Sequence, residues 1–137
     1  MEFSIKQEER YCVFKLHNAN LNSLIAPDLK SKLVLLASEG VQNCILDLTG
    51  VGFVDSSGLS AILTGHRLFA GEAGNFILTG ATQPAVDKLL EISRLKPVLT
   101  LIPTVEEAVD YVIMEEIQRS LNEEGESEEA SGETPEA

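Results

Sequence analysis

The clearest indication of the fold lies in residues 45–59, ILDLTGVGFVDSSGL. The first four residues are mostly apolar and continue the run that begins at Asn43, which is typical of a buried strand. Gly50 and Gly52 then open a loop, and small polar residues at 55–58 stand where the next helix begins. A strand followed directly by a helix is the unit from which parallel sheets are built, so the stretch predicts an α/β domain.

On either side of this stretch, the apolar residues alternate between the periods of strands and of helices. Before it, two short strands separated by a small gap predict a hairpin. Pro27 suits the first turn of a helix, and Gly40 suits its end, so these two residues bound a predicted helix. The predicted strands are 3–8, 11–16, 43–48, 76–78 and 98–102, and the predicted helices are 27–40, 56–71, a short helix after Pro84 and a last helix opening at Thr104. This order predicts a single α/β domain with a mixed sheet of about five strands and about four helices packed on it.

The last helix has both a start signal and an apolar stripe. Thr104, with Glu107 three residues later, forms the pattern of a capping box, in which side chains satisfy free backbone N–H groups of the first turn. Apolar residues follow at helical spacing, and a helix packed on a sheet buries such a stripe. We therefore expect the sheet to be covered by Val105, Val109, Val112, Ile113 and Ile117.

Negative charge is concentrated at the carboxyl end. The 137 residues carry a net charge of −12, and residues 122–137 contain seven glutamates without a lysine or arginine. Removing those seven charges leaves −5 on residues 1–121. We expect 1–121 to form the domain and 122–137 to be a disordered acidic tail, because the tail has almost no apolar residues to bury. An acidic chain without a basic stripe also repels phosphate backbones, so no nucleic-acid partner is expected.

Targeting and redox signals are sparse. No apolar run approaches the ~20 residues that cross a bilayer, and residues 1–10 are charged and lack the apolar segment of a signal peptide. We expect a cytoplasmic protein without direct membrane insertion. Cys12 and Cys44 lie in apolar stretches without CxxC spacing, so buried free thiols are expected rather than a disulfide or a metal site.

The tetrapeptide Asp55-Ser56-Ser57-Gly58 admits two interpretations from its residues alone. A helix start leaves backbone N–H groups unpaired, and the aligned peptide dipoles favour an anion there, so a phosphoserine would be tolerated. The alternative is an ordinary N-cap, in which the side chain of Asp55 or Ser56 accepts a hydrogen bond from a backbone N–H group of the first turn and Gly58 relieves crowding. In that case the tetrapeptide has a structural role and is not modified.

A family resemblance bears on this choice. The segment FVDSSGL at 53–59, together with NLNSLIAPDL at 20–29 and ATQPAV at 81–86, resembles the STAS domain of bacterial anti-sigma factor antagonists, over about residues 3–117. The resemblance implies that Ser57 is phosphorylated by a histidine-kinase-like anti-sigma factor serine kinase using ATP, and that a serine phosphatase reverses this. It also implies that the unphosphorylated protein binds the kinase and so releases a sigma factor.

The resemblance further implies a partner-binding surface around the same turn. Family members often carry an aspartate at the position of Asn22, which we expect to act here as a polar docking residue. The predicted partner-binding residues are Asn22, Ser23, Asp55, Ser56, Ser57, Gly58 and Leu59.

Other functions are compatible with the same fold. A STAS-like protein can be an accessory subunit of a membrane lipid or anion transport complex, or a scaffold in a signalling complex. An enzyme is not expected, because neither Ser56 nor Ser57 has the Gly-x-Ser-x-Gly pattern of a nucleophile elbow. No cofactor or metal is expected either, because the chain lacks a P-loop or dinucleotide fingerprint and its acidic clusters are typical of solvated helix surface.

Overall fold

A computed structural model describes the whole chain except residues 72 and 134–137 and the side chains of 124–133. The strands are β1 (Phe3–Gln7), β2 (Cys12–Leu16), β3 (Asn20–Leu21), β4 (Asn43–Asp47), β5 (Phe53–Val54), β6 (Asn75–Thr79) and β7 (Thr100–Ile102). The helices are α1 (Ala26–Ser38), α2 (Ser56–Phe69), α3 (Pro84–Ile92) and α4 (Val105–Glu133).

The main sheet has five strands in the order β1-β2-β4-β6-β7. The hairpin partner β1 runs antiparallel to β2, and the other neighbours pair in parallel. The predicted mixed sheet and its four helices are therefore confirmed. The last strand is shorter than predicted, because Val98 and Leu99 donate their N–H groups to the carbonyl of Leu95 and so belong to a turn.

The order of the parallel strands explains where the helices lie. The chain passes from β2 to β4, β6 and β7 in one direction across the sheet, through α1, α2 and α3 in turn. Parallel crossovers are right-handed, so three crossovers in the same direction place their helices on one face of the sheet. The opposite face is covered by α4, which contacts β4, β6 and β7.

Each strand residue is directed to one of the two faces by the alternation of the strand. In β4, Cys44 and Leu46 join the core under α1 to α3, whereas Ile45 joins the core under α4. Gly65 of α2 faces the ring of Phe76 so closely that a Cβ would lie within about 3 Å of it, which lets this helix approach the sheet. The face of the sheet covered by α1, α2 and α3 is called the helix-rich face. Its core also contains Phe14, Leu16, Leu29, Leu33, Leu36, Ile62, Phe69, Leu78, Val86 and Leu90.

The expectation for the apolar stripe of α4 is partly wrong. Ala108 and Val112 are buried against the sheet, but Ile113 and Ile117 are 41% and 48% exposed. The helix crosses a sheet whose central strands have five residues, about 17 Å, and it reaches the starting end of β4 at Glu116, which binds Asn43. Ile117 therefore lies past the end of the sheet, where the sheet offers no surface to cover it.

The predicted tail lies partly outside the described residues. The backbone of α4 continues to Glu133, while residues 134–137 and the side chains of 124–133 are not described. The domain boundary at residue 121 and the disorder of 122–137 remain predictions. Among the described residues, no helix has the length and apolar character needed to cross a membrane.

Candidate functional site

The loops before α1 and α2 are joined by a pair of two-residue strands that the sequence did not predict. β3 and β5 pair in parallel, with Leu21 opposite Val54. The N–H group of Gly52 donates to the carbonyl of Ala19 at 2.8 Å, and that of Asp55 donates to the carbonyl of Leu21 at 3.1 Å. This small sheet brings the start of α1 beside the start of α2, although the two starts are about thirty residues apart in the chain.

Asp55 is the N-cap of α2 and also links the two loops. Its backbone is extended, and its Oδ1 accepts from the N–H group of Gly58 at 2.9 Å. Its Oδ2 accepts from the N–H group of Ser23 at 3.3 Å. Both carboxylate oxygens are thus bonded to backbone N–H groups, which fixes the geometry of the turn on which Ser56 and Ser57 lie.

Asn22 holds the loop before α1. Its Oδ1 accepts from the N–H group of Leu24 at 3.0 Å, and its carbonyl oxygen accepts from that of Ala26 at 2.8 Å. The side-chain bond two residues along the chain is an Asx turn, which an amide oxygen makes as readily as a carboxylate. Asn22 is half-buried, and its Oδ1 is used within the loop.

Gly58 acts by the absence of a side chain. It is buried, and a Cβ there would meet the carbonyl oxygen of Leu21 and lie 2.7 Å from Leu21 Cγ and 2.9 Å from Val54 Cγ1. A glycine at this position therefore lets the first turn of α2 rest on the β3–β5 pair. Gly58 therefore lies beneath the predicted partner-binding surface and does not contribute a side chain to it. Leu59 is half-buried and packs against the core under α1 to α3.

The starts of α1 and α2 enclose a surface cleft of about 300 Å³. Ser56 is exposed at this cleft and Ser57 is half-buried in it. The residues that line the cleft are Ser23, Ala26, Pro27, Lys30, Ser56, Ser57 and Ser60. The structure therefore brings together three of the predicted residues, Ser23, Ser56 and Ser57.

Sequence reasoning missed Lys30 and Ser60, the two lining residues that lie one turn into each helix. A helical spacing of four residues relates Lys30 to Ala26 and Ser60 to Ser56, so helical periodicity was the available signal. That signal becomes informative only when the two helix starts are known to lie side by side.

Two apolar side chains are exposed in the segments that lead into α1 and α2, and these were also missed. Leu24, directly after Ser23, is 82% exposed, and Phe53, the first residue of β5, is 50% exposed. Large apolar side chains around a small polar site are typical of surfaces that dock another protein.

The histidine, cysteine and acidic side chains of the described residues are distributed over the fold. No group of three or more His, Cys, Asp or Glu side chains there is placed to hold a metal ion. The hydroxyl of Ser4 lies 3.0 Å from Nε2 of His17, so this imidazole is engaged in the β1–β2 region. Burial raises the pKa of the Cys12 thiol to about 11, and burial together with Cys12 raises the pKa of Cys44. Both thiols are therefore protonated and inaccessible in the folded protein, as predicted for buried free cysteines.

Comparison with known proteins identifies relatives of this fold. The family model described as the STAS domain matches residues 2–108. An anti-sigma factor antagonist from Mycobacterium paratuberculosis is 20% identical, with a TM-score of 0.72 over 81% of this chain and 92% of that one. A sulfate transporter family protein from Wolinella succinogenes is 15% identical, with a TM-score of 0.67 over 79% of this chain and 88% of that one.

A third relative has been solved in two covalent states. The anti-sigma factor antagonist SpoIIAA in its unphosphorylated form is 27% identical, with a TM-score of 0.68 over 81% of this chain and 96% of that one. The phosphorylated form of SpoIIAA, a Bacillus cell fate determinant, is 26% identical, with a TM-score of 0.63 over 81% of this chain and 99% of that one.

Proposed function

The chain belongs to the STAS domain family, and on that premise we propose that it is an anti-sigma factor antagonist switched by phosphorylation of Ser57. In its unphosphorylated form it binds an anti-sigma factor serine kinase and so releases a sigma factor. Transfer of phosphate from ATP to Ser57 ends that binding, and a serine phosphatase restores it. The observation that carries the proposal is the position of Ser57 in an open cleft at the start of α2, in a chain similar to an antagonist known in a phosphorylated form.

The surroundings of Ser57 suit a hydroxyl that is modified by another protein. Ser57 is half-buried, its neighbour Ser56 is exposed, and the cleft opens to the surface. The turn is held by Asp55 and packed from beneath through Gly58, so the hydroxyl is presented from a fixed backbone. The start of α2 also tolerates the added negative charge, because free N–H groups and the helix dipole favour an anion there.

The same surroundings explain how a phosphate would end binding. A partner that covers the cleft together with Leu24 and Phe53 removes this surface from water. Phosphorylation adds a charge of about −1.5 to −2 at pH 7. Binding of the partner would then have to remove this charge from water, and acidic groups on the partner would repel it. Unfavourable charge at an interface costs several kcal/mol, so we expect phosphorylation to lower affinity by about 100-fold.

A docking subunit of a membrane transport complex is the second candidate, since the fold is shared with a sulfate transporter family protein. The complete Asp55-Ser56-Ser57-Gly58 unit supports the switch over this alternative. The two candidates differ in the partner that the cleft binds, and an experiment that identifies the partner separates them.

The test begins with capture of the partner by the full-length chain immobilised in a lysate of its native host. Wild type and Ser57→Ala are expected to capture a serine kinase with a histidine-kinase-like fold, and Ser57→Asp is expected to lose it. Ser120→Asp is the matched control, because it adds the same charge at an exposed position on α4. The purified kinase is then incubated with the wild-type chain and ATP, and the phosphorylated residue is mapped by mass spectrometry.

Phosphate on Ser57, with about 100-fold weaker binding of Ser57→Asp in a titration, supports the proposal. Phosphate on another residue, or equal affinities of Ser57→Ala and Ser57→Asp, contradicts the switch. Capture of a transport ATPase or permease in place of a kinase supports the second candidate.

A further inference from the structure

The cleft is built symmetrically from its two helices. Both helices begin at the same edge of the sheet and pack side by side. The first, second and fifth residues of α1 line the cleft, and so do the first, second and fifth residues of α2. In α2 these residues are Ser56, Ser57 and Ser60, and in α1 they are Ala26, Pro27 and Lys30. Lys30 thus holds in α1 the position that Ser60 holds in α2, one turn into the helix.

Among the described residues that line the cleft, Lys30 is the one that carries a charge. Considering the side chains that the structure describes, no carboxylate oxygen lies within 4.0 Å of its Nζ. Lys30 is half-buried and lines a cleft that is otherwise bounded by hydroxyls and small apolar groups. An ammonium group in this setting is suited to bind an anion that enters the cleft.

Two carboxylates at the starts of the helices that form the cleft would oppose a phosphate. Asp55 caps α2 two residues before Ser57, and Asp28 lies in the first turn of α1. The carboxylate oxygens of Asp55 already accept backbone bonds, so this group stays in place beside any charge on Ser57. The chain as a whole carries a net charge of −12. A cation in the cleft would offset part of this repulsion, in addition to the N–H groups at the start of α2.

We propose that Lys30 is the counter-ion of the phosphoryl group on Ser57, and that it sets how strongly the phosphorylated state is stabilised. The inference rests on the proposed phosphorylation of Ser57 and adds a residue that regulates it. Lys30 acts here by charge and position, and it takes no part in transferring the phosphate. An ammonium group near the phosphoryl oxygens favours the dianion over the monoanion, because opposite charges lower the free energy of the more highly charged form.

The test places phosphoserine at position 57 of the full chain through an expanded genetic code, so that it needs no kinase. The phosphate is titrated between pH 4 and 9 by ³¹P nuclear magnetic resonance. In an otherwise unchanged chain, its second pKa is expected to lie below the value of about 6 for free phosphoserine. Lys30→Met keeps the aliphatic stem and removes the charge, and we expect it to raise this pKa by about half a unit to one unit.

Two variants separate a local contact from a general effect of charge. Lys32→Met makes the same change on the same helix, but Lys32 lies 5.5 Å from the centre of the Phe3 ring and does not line the cleft. We expect it to shift the phosphate pKa by less than about 0.2 units, because the Lys32 ammonium group lies against the Phe3 ring and outside the cleft, and solvent and salt screen charges at a distance. Lys30→Arg keeps the charge and is expected to return the pKa toward the starting value.

Equal shifts in Lys30→Met and Lys32→Met, or no shift in Lys30→Met, would overturn the inference about Lys30. Neither result bears on whether a kinase modifies Ser57, since the phosphoserine is installed during synthesis. Conversely, failure to find a kinase would remove the proposed function and leave the measured effect of Lys30 on the phosphate intact.

Discussion

The two faces of the five-stranded sheet are covered very differently. On one face, α1, α2 and α3 bury a continuous core that includes both cysteines, Phe14, Leu46 and Phe76. On the other, α4 alone covers a small core of Ile45, Ile77, Ala108 and Val112. Beyond that core, α4 leaves apolar side chains such as Met114 and Ile117 about half exposed.

The larger core and the candidate site are built on the same face of the sheet. All crossovers of the parallel strands pass over the helix-rich face, so the starts of α1 and α2 meet there at one edge. The cleft with Ser57 is therefore presented by the most extensively packed part of the molecule. On the opposite face, the middle of α4 depends on polar contacts at the far end of the sheet, where Glu116 binds Asn43.

The largest effect that tests this comparison comes from adjacent residues of β4. Ile45 and Leu46 are fully buried, but they belong to the cores on opposite faces. We expect Leu46→Ala to lower the free energy of unfolding by about 4 kcal/mol and Ile45→Ala by about 2 to 3 kcal/mol. The loss is smaller for Ile45 because one helix can settle into the space, whereas several packed helices cannot.

Urea unfolding of both variants measures this difference, with the slope of each transition as a check on two-state behaviour. The substitutions remove side chains of the same volume from the same strand, so each is the control for the other. A larger loss for Ile45→Ala would contradict the view that the helix-rich face is the more tightly packed one.

A second, smaller effect concerns how closely α2 approaches the sheet. A Cβ at Gly65 would collide with the ring of Phe76, which itself stacks on Phe69 at 6.2 Å between centroids. We expect Gly65→Ala to lower the free energy of unfolding by about 2 kcal/mol, even though alanine favours a helix by up to about 1 kcal/mol.

Gly50→Ala is the matched control for this substitution, because a Cβ at Gly50 meets no atom within 4 Å and its φ is not positive. We expect it to change the stability by less than about 0.5 kcal/mol, as measured by thermal unfolding. If Gly65→Ala proved as stable as wild type, the close approach of α2 would not be a requirement of the fold.

The order of elements could be predicted from the sequence because long segments carry a clear period. The strand at Asn43–Asp47 and the helix at Ser56–Phe69 appear as an apolar run followed by helical spacing after a cap. The β3–β5 pair could not be predicted, because two residues are too few to show a period and their pairing depends on where the two loops meet. The exposure of Ile117 was missed for a related reason, since helical spacing does not tell where the sheet beneath a helix ends.

The candidate site was predicted only in part. Helix-start chemistry pointed to Asp55 as a possible cap, and the family resemblance singled out Ser57; the structure places Asp55 as the N-cap of α2. Lys30 was invisible to that reasoning, because it reaches the cleft only through the packing of α1 against α2. The burial of Gly58 was also missed, because it depends on Leu21, far away in the sequence.

The smallest effect concerns the polar contacts that hold α4 at the starting end of the sheet. Nδ2 of the buried Asn43 donates to Oε1 of Glu116 at 2.9 Å, and Nη1 of Arg119 donates to the same oxygen at 3.0 Å. Glu116→Ala removes the acceptor that these two donors share, so we expect the free energy of unfolding to fall by about 1 kcal/mol. Hydrogen exchange is expected to quicken most in α4, because α1 and α2 keep their own core on the other face.

Asp110→Ala removes the same charge from an exposed position of α4 and serves as the control. Asp110 forms no salt bridge with the side chains that the structure describes, so its loss is expected to leave the exchange rates of α4 within about twofold of wild type, consistent with a change below about 0.5 kcal/mol. If Glu116→Ala instead quickened exchange equally in α1, α2 and α4, the two faces would open as one unit. The polar contacts of α4 would then support the whole fold, and the cleft at Ser57 would depend on both faces of the sheet.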